Sequence, residues 1–452
     1  MNTHALESFI FDKMSATRLP GLSIALVKGD DVVYARGFGH ADIARGTSAR
    51  PETLFGAASI TKSFVAIAIL QLADKGLLKL TDPVDRFIPC PFKSKTGEPI
   101  RIEHLLTHTS GMPALGYIEA VLRHAHQIGG CALPISGARD VITFAQGCDD
   151  WIESKPGERW FYLNEGYVLL GEIVERITGT HYETYVRQHI LQPLGMSRTF
   201  FTEDDCTADG DVATPYVTPR DGAPPRAGRY LYGMLSGDAA LITNVLDLAR
   251  YVQMFLRGGA PVLSADALHA MTQPRVPVPG SSNQYGYGLS IAPEFLGERL
   301  IGHGGSLVVA TSQIAFMPKS NVGVALMCNG NGYAMAQLAK VALAILLGHE
   351  PEALAFVRTA KLLDDLAGFY ETYRGTLRVR IAKEGDFLRM EYLCGDQPPA
   401  PVTIVGENLD GESPTFFTIA EGQRMPIEFR RAGDRVEMIY ERYKFRRTGP
   451  LV

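Results

Sequence analysis

Residues 63–73 (Ser-Phe-Val-Ala-Ile-Ala-Ile-Leu-Gln-Leu-Ala) are apolar at almost every position. No polar face remains, so the run predicts a helix buried on all sides. Apolar residues at helical spacing recur over 166–174 and predict a second helix. Strands are expected at 22–27 and 31–37, and again at 307–317 and 322–328, where the turn Pro318-Lys319-Ser320-Asn321 separates the last two. A helix over 333–347 follows. Sheet elements at both ends with helices between them predict one sheet joined by the two ends of this region, plus a helical subdomain. Residues 113–150, with Gly129-Gly130 and Gly137-Ala138-Arg139, have the texture of a loop insertion.

From about residue 362 the period shortens. Alternating runs occupy 376–381, 387–392, 415–419, 427–429 and 435–440. Turns such as Lys383-Glu384-Gly385-Asp386 and Ala432-Gly433-Asp434 divide them. That pattern predicts a small antiparallel barrel or sandwich. The fold class expected is therefore α/β (α+β): an antiparallel sheet flanked by helices with a helical subdomain, followed by a small antiparallel β-barrel. The expected domains are residues 1–350 and 351–452, and a chain of 452 residues is long enough for two or three.

Composition narrows the function. A hydrophobic share of 46% is ordinary for a globular chain. A net charge of −5, with no basic stripe or polybasic tail, argues against a nucleic-acid partner. No apolar run is long enough for a membrane span, since Gln71, Asp74 and Lys75 break the one after Ser59. The first residues lack a basic stretch followed by an apolar core. The six cysteines, at 90, 131, 148, 206, 328 and 394, have no metal-like spacing. Free thiols and a cytoplasmic location are the expectation.

Three short motifs carry candidate chemistry. In Ser59-Ile60-Thr61-Lys62 the hydroxyl and the amine are three residues apart. A helix opening at Ser59 would place both side chains on one face of its first turn. A serine hydroxyl is a weak nucleophile until a base lies within hydrogen-bond reach. Tyr162-Leu163-Asn164 stands just before the helix at 166–174. There a phenol can pass protons, and the Asn amide can fix Lys62 and a substrate carbonyl. In His303-Gly304-Gly305-Ser306 two glycines precede a predicted strand and allow backbone to approach a ligand closely. The N–H of Ser306 would complete an oxyanion hole with that of Ser59. Taken one at a time, each motif also has a plain reading: a chance spacing, a packed tyrosine, a glycine-rich turn with a surface histidine.

In order and context these motifs resemble the serine β-lactamase and penicillin-binding-protein superfamily, in its class C β-lactamase, D-aminopeptidase and CubicO-type branch. The resemblance takes in Pro20-Gly21-Leu22-Ser23, Phe55-Gly56-Ala57-Ala58, Ile102-Glu103-His104-Leu105-Leu106-Thr107-His108, Leu194-Gly195-Met196 and Asp247-Leu248-Ala249-Arg250, out to about residue 347. It implies a β-lactamase/transpeptidase-like fold with Ser59 as nucleophile, Lys62 and Tyr162 sharing the proton work, and Asn164 positioning them. By the same resemblance, His303 fills the slot where relatives that bind carboxylated β-lactams carry lysine. A neutral imidazole is a weaker, pH-dependent anion partner. The C-terminal strands are similar to the lipocalin-like domain of some CubicO-type peptidases, a domain that would narrow a cleft, bind a substrate tail or assemble a homo-oligomer.

Several features are set aside. The literal Lys95-Thr96-Gly97 lies between the first two motifs, out of order for the family, and is expected to be an exposed turn. His104 and His108 lack the intervening Glu of His-Glu-x-x-His and a third ligand, so no metal is expected. No phosphate loop, dinucleotide fingerprint or Gly-x-Ser-x-Gly elbow occurs, so no cofactor is expected. Asp238 has two readings, a residue lining the pocket or a helix cap before Thr243, and base rates favour the cap. The expected function is cleavage of short peptides or other small amides and esters through an acyl-enzyme on Ser59. A carboxylesterase, an acyltransferase or a weak β-lactamase on the same site is the nearest alternative. A non-catalytic binding homologue is the alternative of another class.

Overall fold

Nine strands form the main sheet of the computed structural model: β1 (Gly21–Lys28), β2 (Asp31–Asp42), β3 (Thr47–Ser48), β4 (Val276–Pro277), β5 (Gln284–Tyr285), β6 (Ser290–Phe295), β7 (Glu298–Ser306), β8 (Thr311–Met317) and β9 (Val322–Cys328). Their order across the sheet is β3-β2-β1-β9-β8-β7-β6-β5-β4. The structure describes residues 1–219, 223–332, 334–393, 398–411, 414–433 and 435–451. The chain divides into two compact units, Met1–Leu347 and Gly348–Val452.

Early and late strands meet at the middle of the sheet, where β1 pairs antiparallel with β9 from Leu22↔Cys328 to Lys28↔Val322. Helices of the first unit include α1 (Thr3–Thr17), α2 (Thr61–Asp74), α3 (Tyr117–Ala125), α4 (Ala138–Phe144), α5 (Asn164–Thr178), α6 (Val245–Leu256) and α7 (Met335–Leu346). Both α6 and α7 pack on β8 and β9. All of β9 is buried, which explains why its sequence is a continuous apolar run rather than an alternating one. Helix α2 packs against α5 and is buried along nearly its whole length, as its uniform apolarity predicts.

Three local expectations need correction. The glycines of His303-Gly304-Gly305 do not precede a strand; they end one. Strand β7 runs to Ser306, and the Leu307 N–H closes a hairpin on the Ala310 carbonyl at 2.8 Å. The turn residues Val308 and Val309 are themselves apolar, so the run 307–317 hides the break. Residues 113–150 are not simply a loop, because Tyr117, Ile118, Val121 and Leu122 form the buried face of α3, and α4 follows. Asp238 caps no helix: the cap before α6 is Asn244, whose side chain accepts from Leu246 and Asp247 N–H. Tyr333, the expected first residue of the last helix, lies outside the described residues.

The second unit is a closed eight-stranded antiparallel barrel: Gly368–Glu371, Arg378–Glu384, Phe387–Tyr392, Val402–Glu407, Thr415–Ala420, Gln423–Ala432, Arg435–Tyr440 and Tyr443–Gly449. The first strand pairs with the last, which removes free edges. Val379, Ile381, Leu388, Met390 and Met438 point inward, and the helix Ala355–Leu366 adds Leu363 and Leu366 to the same core. Three strands escape the alternating pattern: the four-residue Gly368–Glu371, Val402–Glu407 and Tyr443–Gly449. Two of them, 402–407 and 443–449, have just one fully buried residue each, Ile404 and Phe445. Among the described residues no helix is long and apolar enough to cross a membrane. Cys90, Cys131, Cys148, Cys206 and Cys328 are free thiols, while Cys394 and Asp434 lie outside the described residues.

Candidate active site

Ser59 lies in a single 3-10 turn, Ala58–Ile60, that leads directly into α2. The preceding Ala58 has φ +50, a left-handed conformation that non-glycine residues adopt at a cost. Several bonds hold the turn in place. Thr61 Oγ1 donates to the Ala58 carbonyl at 2.7 Å and accepts from Leu241 N–H at 3.1 Å, and Ser312 Oγ donates to the Ala57 carbonyl at 2.6 Å. Strand β7 comes up against this turn at Gly305. A methyl group there would overlap the Ala57 carbonyl and Ser312 Oγ, so only glycine permits the approach.

Ser59 is half-buried and Lys62 is fully buried. The amine Nζ lies 3.1 Å from Ser59 Oγ, 2.8 Å from Asn164 Oδ1 and 2.8 Å from the main-chain oxygen of Asp238. The last two partners can only accept. As an ammonium Lys62 donates to all three; once it gives up a proton, the two that remain stay on Asn164 and Asp238 and the lone pair turns to the serine hydroxyl. Tyr162 stands just before α5, with Lys62 Nζ 4.9 Å from its ring centroid.

His108 backs Tyr162. Its ring lies 4.3 Å from the Tyr162 ring, centroid to centroid. Its carbonyl accepts from Phe161 N–H at 2.8 Å and its Nδ1 from Leu163 N–H at 2.9 Å, so the ring proton sits on Nε2. Burial, with Lys62 and His303 nearby, holds His108 well below the usual histidine range. His104 accepts from Arg101 N–H through Nδ1 and does not join His108. Lys95-Thr96-Gly97 is an exposed turn with Gly97 at φ +75.

His303 is not a surface residue. Its Nδ1–H donates to the Gly304 carbonyl at 2.7 Å, and its Nε2 accepts from the Tyr285 hydroxyl at 2.9 Å. Burial, then the Lys62 charge, pushes it down to about 4. Gly304 and Ser306 are exposed beside it. Pairing of β7 with β6 stops at Gly302. Successive N–H groups of a strand point to opposite edges, and that of Leu307 points to Ala310. The Ser306 N–H therefore faces the edge that β6 leaves open. Sequence reasoning missed Tyr285, Tyr117, His108 as a support, and the main-chain carbonyl of Asp238. A carbonyl leaves no residue-type signal, and Tyr285 gains its role only when β5 is laid beside β6 and β7.

Comparison with known proteins fits this geometry. A structure titled the octameric penicillin-binding protein homologue from Pyrococcus abyssi superposes with a TM-score of 0.93 at 39% identity, over 99% of this chain and 100% of that one. Protein flp of Staphylococcus aureus (strain MW2) is 28% identical over 338 residues, 74% of this chain but 64% of flp, so the chain spans under two thirds of that relative. The D-amino acid amidase from Ochrobactrum anthropi SV3 shares the fold, with a TM-score of 0.63 at 21% identity over 76% of this chain and 99% of that one. A family model described as Pab87 octamerisation domain matches residues 351–446. The family model described as Beta-lactamase matches residues 6–347, three quarters of the chain, and the chain belongs to that family.

Proposed function

We propose that this chain is a serine hydrolase that cleaves short peptides or other small amides and esters through an acyl-enzyme on Ser59. The observation that carries the reading is the Lys62 amine, 3.1 Å from Ser59 Oγ with both remaining partners acceptors. In the first step Lys62 takes the serine proton as Oγ bonds to the substrate carbonyl carbon. The oxyanion forms against the N–H groups of Ser59 and Ser306. Tyr162 passes that proton from Lys62 to the departing amine or alcohol; a water then attacks the acyl carbon, gives its proton to Lys62, and Ser59 Oγ takes it back as the acid leaves. Asn164 keeps Lys62 in place. Ser59→Ala should abolish labelling by a fluorophosphonate while the fold persists, and wild type should gain a single adduct on Ser59. An adduct on another serine would sink the assignment.

His303 favours substrates without a carboxylate at its slot, because both ring nitrogens are already engaged. This supports ester or amide turnover over β-lactam turnover. The segment 351–446, which holds most of the barrel, supports assembly into a homo-oligomer, by its likeness to a domain described as an octamerisation domain. Size-exclusion chromatography with light scattering of the full chain tests this; a monomer at micromolar concentration would refute it.

A further inference from the structure

We infer that Tyr117 and Asp238 form a positioning pair that aims Lys62 at Ser59, an inference that rests on the proposed role of Lys62 as base. Asp238 is fully buried and Tyr117 is 1% exposed. The Tyr117 hydroxyl donates to Asp238 Oδ2, and Ser236 N–H donates to Oδ1 at 3.0 Å. A buried carboxylate is tolerated where its oxygens find donors such as these two. The same residue's main-chain oxygen accepts from Lys62 Nζ at 2.8 Å. The side chain of Asp238 is thus an anchor for its own carbonyl.

The rest of the segment is fixed as well. Ala239 and Ala240 N–H both bond to the Ser236 carbonyl, at 3.2 and 3.1 Å. Leu241 N–H reaches Thr61 Oγ1, and the Leu241 carbonyl accepts from Ala57 N–H at 2.8 Å. Residues 236–241 are therefore held by the serine turn at one end and by Tyr117 of α3 at the other. If the carbonyl of Asp238 swings away, one amine proton of Lys62 loses its acceptor and can turn toward Ser59 Oγ. The lone pair then no longer faces the hydroxyl it must deprotonate. Neither residue touches a bound acyl group in this scheme; both act through Lys62.

The test is the rate of Ser59 labelling by a fluorophosphonate, read by intact mass. It is measured in wild type, Tyr117→Phe, Lys62→Ala and the double variant. Tyr117→Phe should slow labelling about tenfold, the equivalent of roughly one hydrogen bond. In the Lys62→Ala background it should slow it no further, because the partner it acts through is gone. Asp238→Asn keeps an acceptor for Ser236 N–H and a polar partner for Tyr117, so it should label within about threefold of wild type. Asp238→Ala should be as slow as Tyr117→Phe, and this Asn/Ala pair decides the question if Tyr117→Phe fails to fold. Equal slowing with and without Lys62 would mean general loosening and overturns the inference, as does a Tyr117→Phe or an Asp238→Ala that labels at the wild-type rate. Wild-type labelling by Lys62→Ala would instead bring down the base role itself.

Discussion

Tyr285 gives its hydroxyl proton to Nε2 of His303 across 2.9 Å, and the other ring nitrogen donates to the Gly304 carbonyl. No N–H of that imidazole is left for a ligand. Mild acidification was the expected way to give His303 a charge, but burial moves that event down to about 4. The ratio of kcat/KM for a neutral ester to that for nitrocefin should therefore favour the ester and stay flat between pH 8 and pH 6. A ratio that falls steeply in that interval would place a titrating cation at the slot and return β-lactams to consideration.

Buried neutral histidines make a prediction about acid stability. Burial holds His303 and His104 down to about 4 and His108 well below its ordinary value. In the unfolded chain each takes up a proton near pH 6.5, and in the folded chain it does not. On account of these three histidines the unfolded state binds more protons between about pH 6.5 and 4, so they lower stability as pH drops through that window, against the opposite contribution of Glu165, whose carboxyl burial raises to about 7. His303 alone accounts for on the order of 3 kcal/mol over the full window. Urea midpoints at pH 7.5 and 5.0 should differ in that direction, and by less in His303→Asn. Because Glu165 titrates in both proteins, the comparison isolates the histidine: a pH difference no smaller in His303→Asn than in wild type would contradict the neutral assignment.

Lys62 and Tyr162 serve one proton path in the proposed mechanism, with the amine 4.9 Å from the phenol ring centroid. Loss of either should lower kcat on the order of 10²–10⁴-fold. The double variant Lys62→Ala with Tyr162→Phe should be no slower than the worse single variant. Losses that multiply in full would mean two independent functions.

The two glycines of β7 should respond differently to the same added methyl. At Gly305 the new carbon meets the Ala57 carbonyl and Ser312 Oγ, which are backbone and a short side chain. The strand would have to back away from Ser59, so Gly305→Ala should cost about 1–3 kcal/mol or more in stability and most of the activity. At Gly304 the new carbon meets Gln313 Oε1 at 2.9 Å, the far end of a flexible side chain. Gly304→Ala should keep its thermal midpoint. Equal midpoints for the two variants would show that the close approach at Gly305 is not required.

Much of this was legible from local pattern. The unbroken apolarity of α2 announced a helix buried on all sides, and the three-residue step from Ser59 to Lys62 announced their contact. The illegible parts depend on tertiary placement. The hairpin at Val308 and Val309 looks like strand because its residues are apolar. Asp238 looks like a cap because nothing in its neighbourhood announces Tyr117, 121 residues earlier. The slot of His303 was legible by resemblance, but its burial and the hydroxyl that occupies its Nε2 emerge only when Tyr285 is set beside it. Of the barrel's missed strands, 368–371 is only four residues long and 402–407 and 443–449 each bury one residue fully, which leaves too few buried positions to reveal a period of two.

The pairing of β1 with β9 also bears on the order of events as the chain is made. Ser59 and Lys62 leave the ribosome early, whereas Gly304, Ser306 and the strand that docks on β1 are synthesised some 240 residues later. Contacts so distant along the chain form slowly, since a long loop must close before they return any stability. A nascent polypeptide thus carries a serine and its amine without the wall against which an acyl oxygen is to rest. In the proposed mechanism, hydrolytic capacity would therefore arrive only with closure of the sheet.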